Sequence, residues 1–282
     1  TAEAGQADTV VLNGLDTVSS QDVKAADYAV KADLQAIIDW INGTGEGFVT
    51  ATRPAGAGAP PVNVSFTYLA GGSDGVTTNS EWTNAFTTLQ TEDVQWVVPA
   101  SSDAAIHAMA DAHCHFMSNT GKKERRAFVG GALGVTDAQA IAAAKALNSD
   151  RTALVHLGHY NFDARGVLTL YAPYITAAKV AGLFAGLNPG TPATNKTIKV
   201  RGLERKLRNP TDTDPLILGG VLCVEDTPNG YKVVKSISAW LQDDNYNRVE
   251  VSTGFATDYT TRSVREALEP LVGSKGDPRV LQ

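Results

Sequence analysis

Near the start of the chain, apolar residues fall at helical spacing. Asp33 stands as a cap before Leu34, Ile37, Ile38 and Ile41, and Asn42-Gly43 closes the run, which predicts an amphipathic helix. Two strands are predicted after it, at 47–53 and 62–69. The second alternates Val62, Val64, Phe66 and Tyr68 with Asn63, Ser65 and Thr67, the period of a strand with one buried face. Residues 54–61 between them are too rich in proline and glycine for regular structure. Together these predict a small α+β module over 1–70.

From the glycine-rich stretch 69–75 onward the pattern changes to alternating helix and strand, which predicts a mainly parallel sheet. Helices are expected at 80–90, with Trp82, Ala85, Phe86 and Leu89 on one face, at about 103–118, and at 136–147. Strands are expected at 94–98, 127–129 and 153–157, short and apolar enough to be buried on both faces. A strand at 167–171 leads into an alanine-rich helix at 172–186. Gly182 inside that helix costs about 1 kcal/mol relative to alanine. Close approach of another backbone to a face made of Ala177, Ala178, Ala181 and Gly182 is the expected compensation.

Beyond 191–196 the chain turns strand-like. Residues 219–224 and 231–237 predict a hairpin through Asp226-Thr227-Pro228-Asn229-Gly230. A last helix is expected at about 257–268, with Val264, Ala267 and Leu268 as its apolar face. The expected fold is multidomain, α/β and α+β: an α+β module at 1–70, a central α/β domain at 71–195 and a C-terminal α+β domain at 196–282. No internal repeat of 20–50 residues is visible.

Composition narrows the function classes. The chain has 282 residues, 43% hydrophobic and 19% charged, which is globular composition. A net charge of -6, from 24 basic and 30 acidic residues, argues against a nucleic-acid-binding surface. The basic clusters, Lys122-Lys123-Glu124-Arg125-Arg126 and 201–208, are expected to be solvated loops or faces. Cys114 and Cys223, far apart in sequence, do not form a disulfide framework and are compatible with a reducing compartment. No stretch approaches the roughly 20 apolar residues of a membrane span, and no membrane insertion is expected. Thr1 without an initiator methionine, and the break at 277–282, lead us to expect a processed or fragment boundary at each end.

Candidate chemistry is sparse. His107, Asp111 and Cys114 fall at i, i+4 and i+7 of one helix, a spacing that could present three zinc ligands. No fourth ligand accompanies them, and Ile106, Met109, Ala110, His113, Phe116 and Met117 define the expected buried stripe, with His107 and Cys114 flanking it. His156 and His159 end a strand, where open parallel sheets bind ligands, and Asp163 and Ser73-Asp74 would complete a Ser/His/Asp set on paper. The G-x-S-x-G elbow is missing. Gly130-Gly131-Ala132-Leu133-Gly134 and Gly71-Gly72-Ser73-Asp74-Gly75 lack both the G-x-G-x-x-G spacing and a Walker lysine, and are expected to be tight turns. No catalytic, cofactor-binding or metal residue is assigned.

The helix at 172–186 resembles the nucleophile helix of subtilases, Ser-Met-Ala-x-Pro-x-Val-Ala-Gly, without the nucleophile. Aligned on Val180-Ala181-Gly182, it places Tyr174 at the serine position and Ala178 at the proline. A phenol does not perform that acyl transfer. Four stretches in order resemble contractile phage tail sheath proteins. They are Leu69-Ala70-Gly71-Gly72-Ser73-Asp74-Gly75, Ala172-Pro173 through Val180-Ala181-Gly182-Leu183, Thr194-Asn195-Lys196 with Gly202-Leu203, and Asp258-Tyr259 with Arg262 through Val272-Gly273.

The resemblance implies a central domain that is subtilisin-like in fold and devoid of protease function, with no cofactor. It implies identical subunits stacked in rings around a tail tube, which contract to drive tube penetration and genome delivery. Its expected partners are other copies of the chain, the tube, and the baseplate and tail terminator proteins, within a phage virion assembled in the host bacterial cytoplasm. Family members exchange strands between neighbours through terminal arms; this chain is expected to lack both and to be mainly monomeric. The alternatives are the sheath of a tailocin or type VI-like injection machine, and a subtilase-like hydrolase.

Overall fold

The computed structural model describes residues 11–14, 38–40, 42–43, 49–52 and 77–272. The chain divides into two compact units, Thr1–Val76 and Thr77–Gln282. In the first, residues 38–40 and 42–43 are helical and Ile38 is buried, within the amphipathic helix the sequence predicts. Strand β1 (Val11–Gly14), which the hydrophobic pattern did not reveal, pairs antiparallel with β2 (Val49–Thr52), inside the predicted strand 47–53. The expected loop 54–61, strand 62–69 and glycine junction 69–75, with Ser73 and Asp74, lie outside the described residues, as does Gly273.

The second unit follows the predicted alternation. Helix α1 (Asn79–Thr88) starts at a capping box in which Thr78 and Glu81 satisfy each other's backbone amides. Strand β3 (Trp96–Val97) follows, and then α2 (Ala104–Asn119), capped by the Asp103 carboxylate on the Ala105 amide at 2.8 Å. Strand β4 (Arg126–Gly130) leads to α3 (Asp137–Leu147), which carries a second capping box, Thr136 with Gln139. After it come β5 (Thr152–His156), β6 (His159–Phe162), β7 (Leu168–Tyr171) and α4 (Pro173–Ala185), whose first residue is a proline. The chain continues through β8 (Thr197–Ile198), β9 (Gly202–Leu203), α5 (Thr213–Leu218), β10 (Val221–Thr227) and β11 (Gly230–Val233). It then forms α6 (Tyr246–Val249) and α7 (Val251–Leu268).

Six strands form one sheet in the order β3-β4-β5-β10-β11-β8. The first four are parallel, and β11 and β8 add antiparallel. A second, three-stranded antiparallel sheet has the order β7-β6-β9. The fold is therefore mixed α/β with a mostly parallel central sheet, and strands from both sides of residue 195 share that sheet. The predicted hairpin is β10–β11, with Gly230 taking the positive φ of +106° that closes its turn.

Every residue of β4 and β5 is buried, because each face of the sheet is covered. Phe128, Ala153 and Val155 pack with Ala177, Val180, Ala181 and Phe184 of α4. Val129 and Leu154 face the other way, onto Ala140 and Ala144 of α3 and Leu216 of α5. Among the described residues no helix is long and apolar enough to cross a membrane.

Two sequence expectations fail here. The cluster at 122–126 is no solvated loop: Glu124, Arg125 and Arg126 are 6%, 1% and 3% exposed. Arg125 donates to the Leu89 carbonyl at 3.0 Å and the Glu92 carbonyl at 2.8 Å, while Lys123 donates to the Thr91 carbonyl at 2.9 Å. These cations close the C-terminal end of α1, which has no basic residue in its own last turn. The second failure is the face of α7. Val264, Ala267 and Leu268 point to solvent, because the body-facing positions of that helix hold Asp258, Arg262 and Arg265. The other basic stretch, 201–208, does lie on the surface, with Lys206 on Asp226 and Arg208 on Asp212, both at 2.7 Å.

Candidate functional site

The carboxyl ends of the parallel strands are where such sheets hold ligands, and His156 and His159 do sit there. His156, buried at the end of β5, donates from Nε2 to Asp137 at 2.8 Å, and Asp137 also pairs with Arg205. Burial pushes the His156 imidazole below its ordinary value, and the Asp137 hydrogen bond opposes that shift. Leu157 follows with φ +74°, a backbone conformation that strains a bulky residue. Gly158 comes next, where any Cβ would collide with the Tyr171 carbonyl. His159 shares a hydrogen bond between Nδ1 and Thr176 Oγ1 at 2.9 Å, stacks on Tyr171 at 5.6 Å, and leaves its buried Nε2 without a partner. Burial, with a smaller contribution from Lys179, pushes it down to about 4. The two histidines thus bind different elements, and Asp163 is engaged with the backbone amides of Arg165 and Val167, both at 2.9 Å, in the β6–β7 turn.

The glycine turn after β4 does meet an anion, and the anion belongs to the chain. Glu204 accepts from the Gly134 amide at 2.6 Å and from the Gly158 amide at 2.8 Å, joining the turns that leave β4 and β5. A carboxylate on these backbone amides occupies the position a phosphate would take on such a loop. Sequence pattern did not single out Glu204, since no local motif marks a carboxylate that serves two distant turns.

The three possible zinc ligands of α2 do not converge. His107 donates from Nε2 to the Ser101 carbonyl at 2.9 Å. Cys114 is buried among Val97, Ala110 and Ala127, which pushes its thiol up to about 12. Asp111 accepts from Ser149 and, at 2.6 Å, from Thr152. His107 and Cys114 belong to the buried stripe itself, and Phe116 points outward, because the stripe runs through 106, 107, 110, 113, 114, 117 and 118. Among the described residues, no three His, Cys, Asp or Glu side chains are grouped to hold a metal.

At the opposite end of the sheet, Ser149 Oγ lies 3.1 Å from His115 Nε2. Its proton is already directed to Asp111, and Asp111 and Asp150 approach that same Nε2 at 3.7 and 3.8 Å. A triad instead holds the second ring nitrogen with its acid. Beside this polar group is a buried ion cluster. Arg126 Nε donates to Asp258 at 2.9 Å and Arg151 to the same oxygen at 2.6 Å, while Arg126 also donates to the Asp150 carbonyl at 2.7 Å. Gly254 leaves room for the guanidinium, since a Cβ there would stand 2.7 Å from Arg126 Cζ. The motif residue Asp258 is thus an internal anchor for α7.

In α4, the close approach expected at Gly182 occurs elsewhere. Ala177 and Ala181 face the sheet, but Ala178 and Gly182 are exposed, and a Cβ on Gly182 would meet nothing within 4 Å. The tight contact is Gly130, at the end of β4, where a Cβ would penetrate the backbone of Pro173 and Tyr174. Tyr174, half-buried, stands at the helix start with its backbone against Gly130. Gly182→Ala is therefore expected to stabilise the protein by about 1 kcal/mol, and Gly130→Ala to destabilise it by about 1–3 kcal/mol. Urea denaturation midpoints of the two variants check both signs; stabilisation by Gly130→Ala would contradict the packing.

The model of the phage tail sheath protein central domain matches residues 75–239. A putative tail sheath protein of Enterococcus phage phiEF24C is 28% identical over 232 residues, which are 80% of this chain and 39% of that protein. The tail sheath protein of Staphylococcus phage Twort is 26% identical over 225 residues, 78% of this chain and 37% of that one. The chain thus spans about two fifths of the length of the curated relatives it matches. Among solved structures, a sheath tail protein from Desulfitobacterium hafniense matches with a TM-score of 0.62 at 18% identity, covering 83% of this chain and 52% of that one. The contracted helical sheath of the anti-feeding prophage matches with 0.53 at 12% identity, covering 97% and 68%.

Proposed function

This chain belongs to the phage tail sheath protein family, and from that premise we propose that it is a structural subunit which polymerises with copies of itself around a tail tube and contracts. Members of this family are structural and not enzymatic. The observation that carries the proposal is the family match over 75–239, which includes fourteen of the strands and helices described above, from α1 to β11, in one packed unit. The residues that resemble chemistry in the sequence are spent inside the fold: His107 on the Ser101 carbonyl, Asp111 on Ser149 and Thr152, and His156 on Asp137.

Contraction is an exchange of interfaces. An extended array must be metastable, so that rearranged subunit contacts release free energy on triggering. Heterologous contacts repeated along a screw axis give an open filament, with charge complementarity setting register. In this reading the tube, the baseplate and the tail terminator are the further partners, and the virion tail is the location. The central layer is proposed to be subtilisin-like without its nucleophile, a reading supported by Tyr174 at the helix start. Labelling of the native chain by a serine-directed phosphonate, lost on a single substitution, would overturn it. A sheath from an injection device that carries no genome is the second reading, favoured by the likeness to the anti-feeding prophage sheath. Neighbouring capsid genes separate the two.

Negative-stain electron microscopy of the chain extended to the length of its relatives is expected to show tubes. Persistent monomers at every salt concentration would sink the assembly reading.

A further inference from the structure

Charge holds α7 where apolar packing ordinarily would. Its first turns are conventional: Val251 is buried in the main core, and the Phe255 ring lies 4.6 Å from that of Trp96. Past Phe255, the body-facing positions are Asp258, Arg262 and Arg265. Asp258 anchors on Arg126 and Arg151, as described above. Arg262 donates to Asp93 at 2.6 Å, and Arg265 donates to Glu124 at 2.6 and 3.1 Å and to the Lys122 carbonyl at 2.7 Å. Tyr259, Val264 and Leu268, the large apolar residues of this stretch, are each more than half exposed, at 54%, 52% and 51%. Arg262 Nη1 is buried with no hydrogen-bond partner, so the docked helix retains an unsatisfied donor that opening would hydrate.

We propose that residues 259–268 form an ionic latch: this half of α7 lifts from the body by breaking the Arg262–Asp93 and Arg265–Glu124 pairs, pivoting at Asp258, while the hydrophobic core stays closed. A segment with few buried apolar contacts opens at a free energy well below that of global unfolding. One partner of each pair, Asp93 at 54% and Arg265 at 37% exposure, reaches solvent and is open to screening by salt, because the reach of an exposed charge shrinks from about 10 Å at 0.1 M to about 3 Å at 1 M, whereas apolar packing is not weakened in this way. The other charges around the latch are Lys123 and Arg125 beside Asp93, and Glu266 beside both arginines. The inference is independent of assembly, since it concerns one unit of one chain.

Hydrogen exchange of the 282-residue chain, read by mass spectrometry, tests it. Raising salt from about 0.05 to 1 M is expected to speed exchange of the 259–268 amides about tenfold, with the amides of β4 and β5 unchanged. The double variant Arg262→Gln with Arg265→Gln is expected to exchange that fast at low salt. The reversed pair, Asp93→Arg with Arg262→Asp, is expected to exchange more slowly than Arg262→Asp alone. Salt-independent protection of 259–268, or its loss in step with β4 and β5, overturns the latch.

Discussion

Replacing Asp258 by alanine is expected to cost about 3–5 kcal/mol of folding stability, the penalty for leaving a buried charge without its partner. Asp258 is the shared acceptor of Arg126 and Arg151, and Arg126 is closed off from water. Burial pushes the Arg126 guanidinium below its ordinary value and Asp258 opposes the shift, but arginine remains charged and cannot escape the cost by losing its proton. The carbonyl of Asp150 is the acceptor that remains. The double variant Arg126→Met with Asp258→Leu is expected to lose less than Asp258→Ala alone, because no lone charge is then trapped at position 126. Arg151 is more exposed and can reach water. Chemical denaturation of the variants measures the difference, and a loss below about 1 kcal/mol for Asp258→Ala would refute the assignment.

Acid is expected to weaken the fold between about pH 6.5 and pH 4, before most carboxylates titrate. Burial pushes both His113 and His159 down to about 4, with Arg125 adding to the shift at His113 and Lys179 at His159. Arg125 Nη1 donates to His113 Nε2 at 3.0 Å, so that nitrogen must stay unprotonated. In this window the unfolded chain binds more protons than the folded one. Stability therefore rises with pH and is lost as pH falls, by about 2 kcal/mol per histidine at pH 5. His107 and His156 are also lowered by burial and act in the same direction. Denaturation midpoints at pH 7 and pH 5 give the slope, and His159→Gln is expected to flatten it. A slope unchanged in that variant would show that His159 is not held neutral.

The histidines show where sequence reading stopped. Their number and spacing are plain, and so is the helix that carries His107, His113 and His115. Spacing could not tell a ligand from a packed imidazole, because the partners that decide the matter, Ser101, Arg125 and Ser149, come from other elements. Gly182 gives the same lesson. Its cost to the helix is local and visible, but whether another backbone lies against it depends on how α4 is rotated, and the rotation puts Gly130 at the contact instead. Glu204 lay outside every pattern, since its work is to join two turns distant in sequence.

What the sequence determined by itself is the succession of strands and helices from α1 to α4 apart from β6, the β10–β11 hairpin and the family resemblance, because capping residues, turn residues and apolar periodicity act within a few positions of one another. The tertiary structure alone decided which face of α7 turns inward and that cations at 122–126 are buried. Periodicity records how strongly a residue avoids water. It carries no record of a distant opposite charge, and for Arg126, Arg262 and Arg265 that charge sits on Asp258, Asp93 and Glu124.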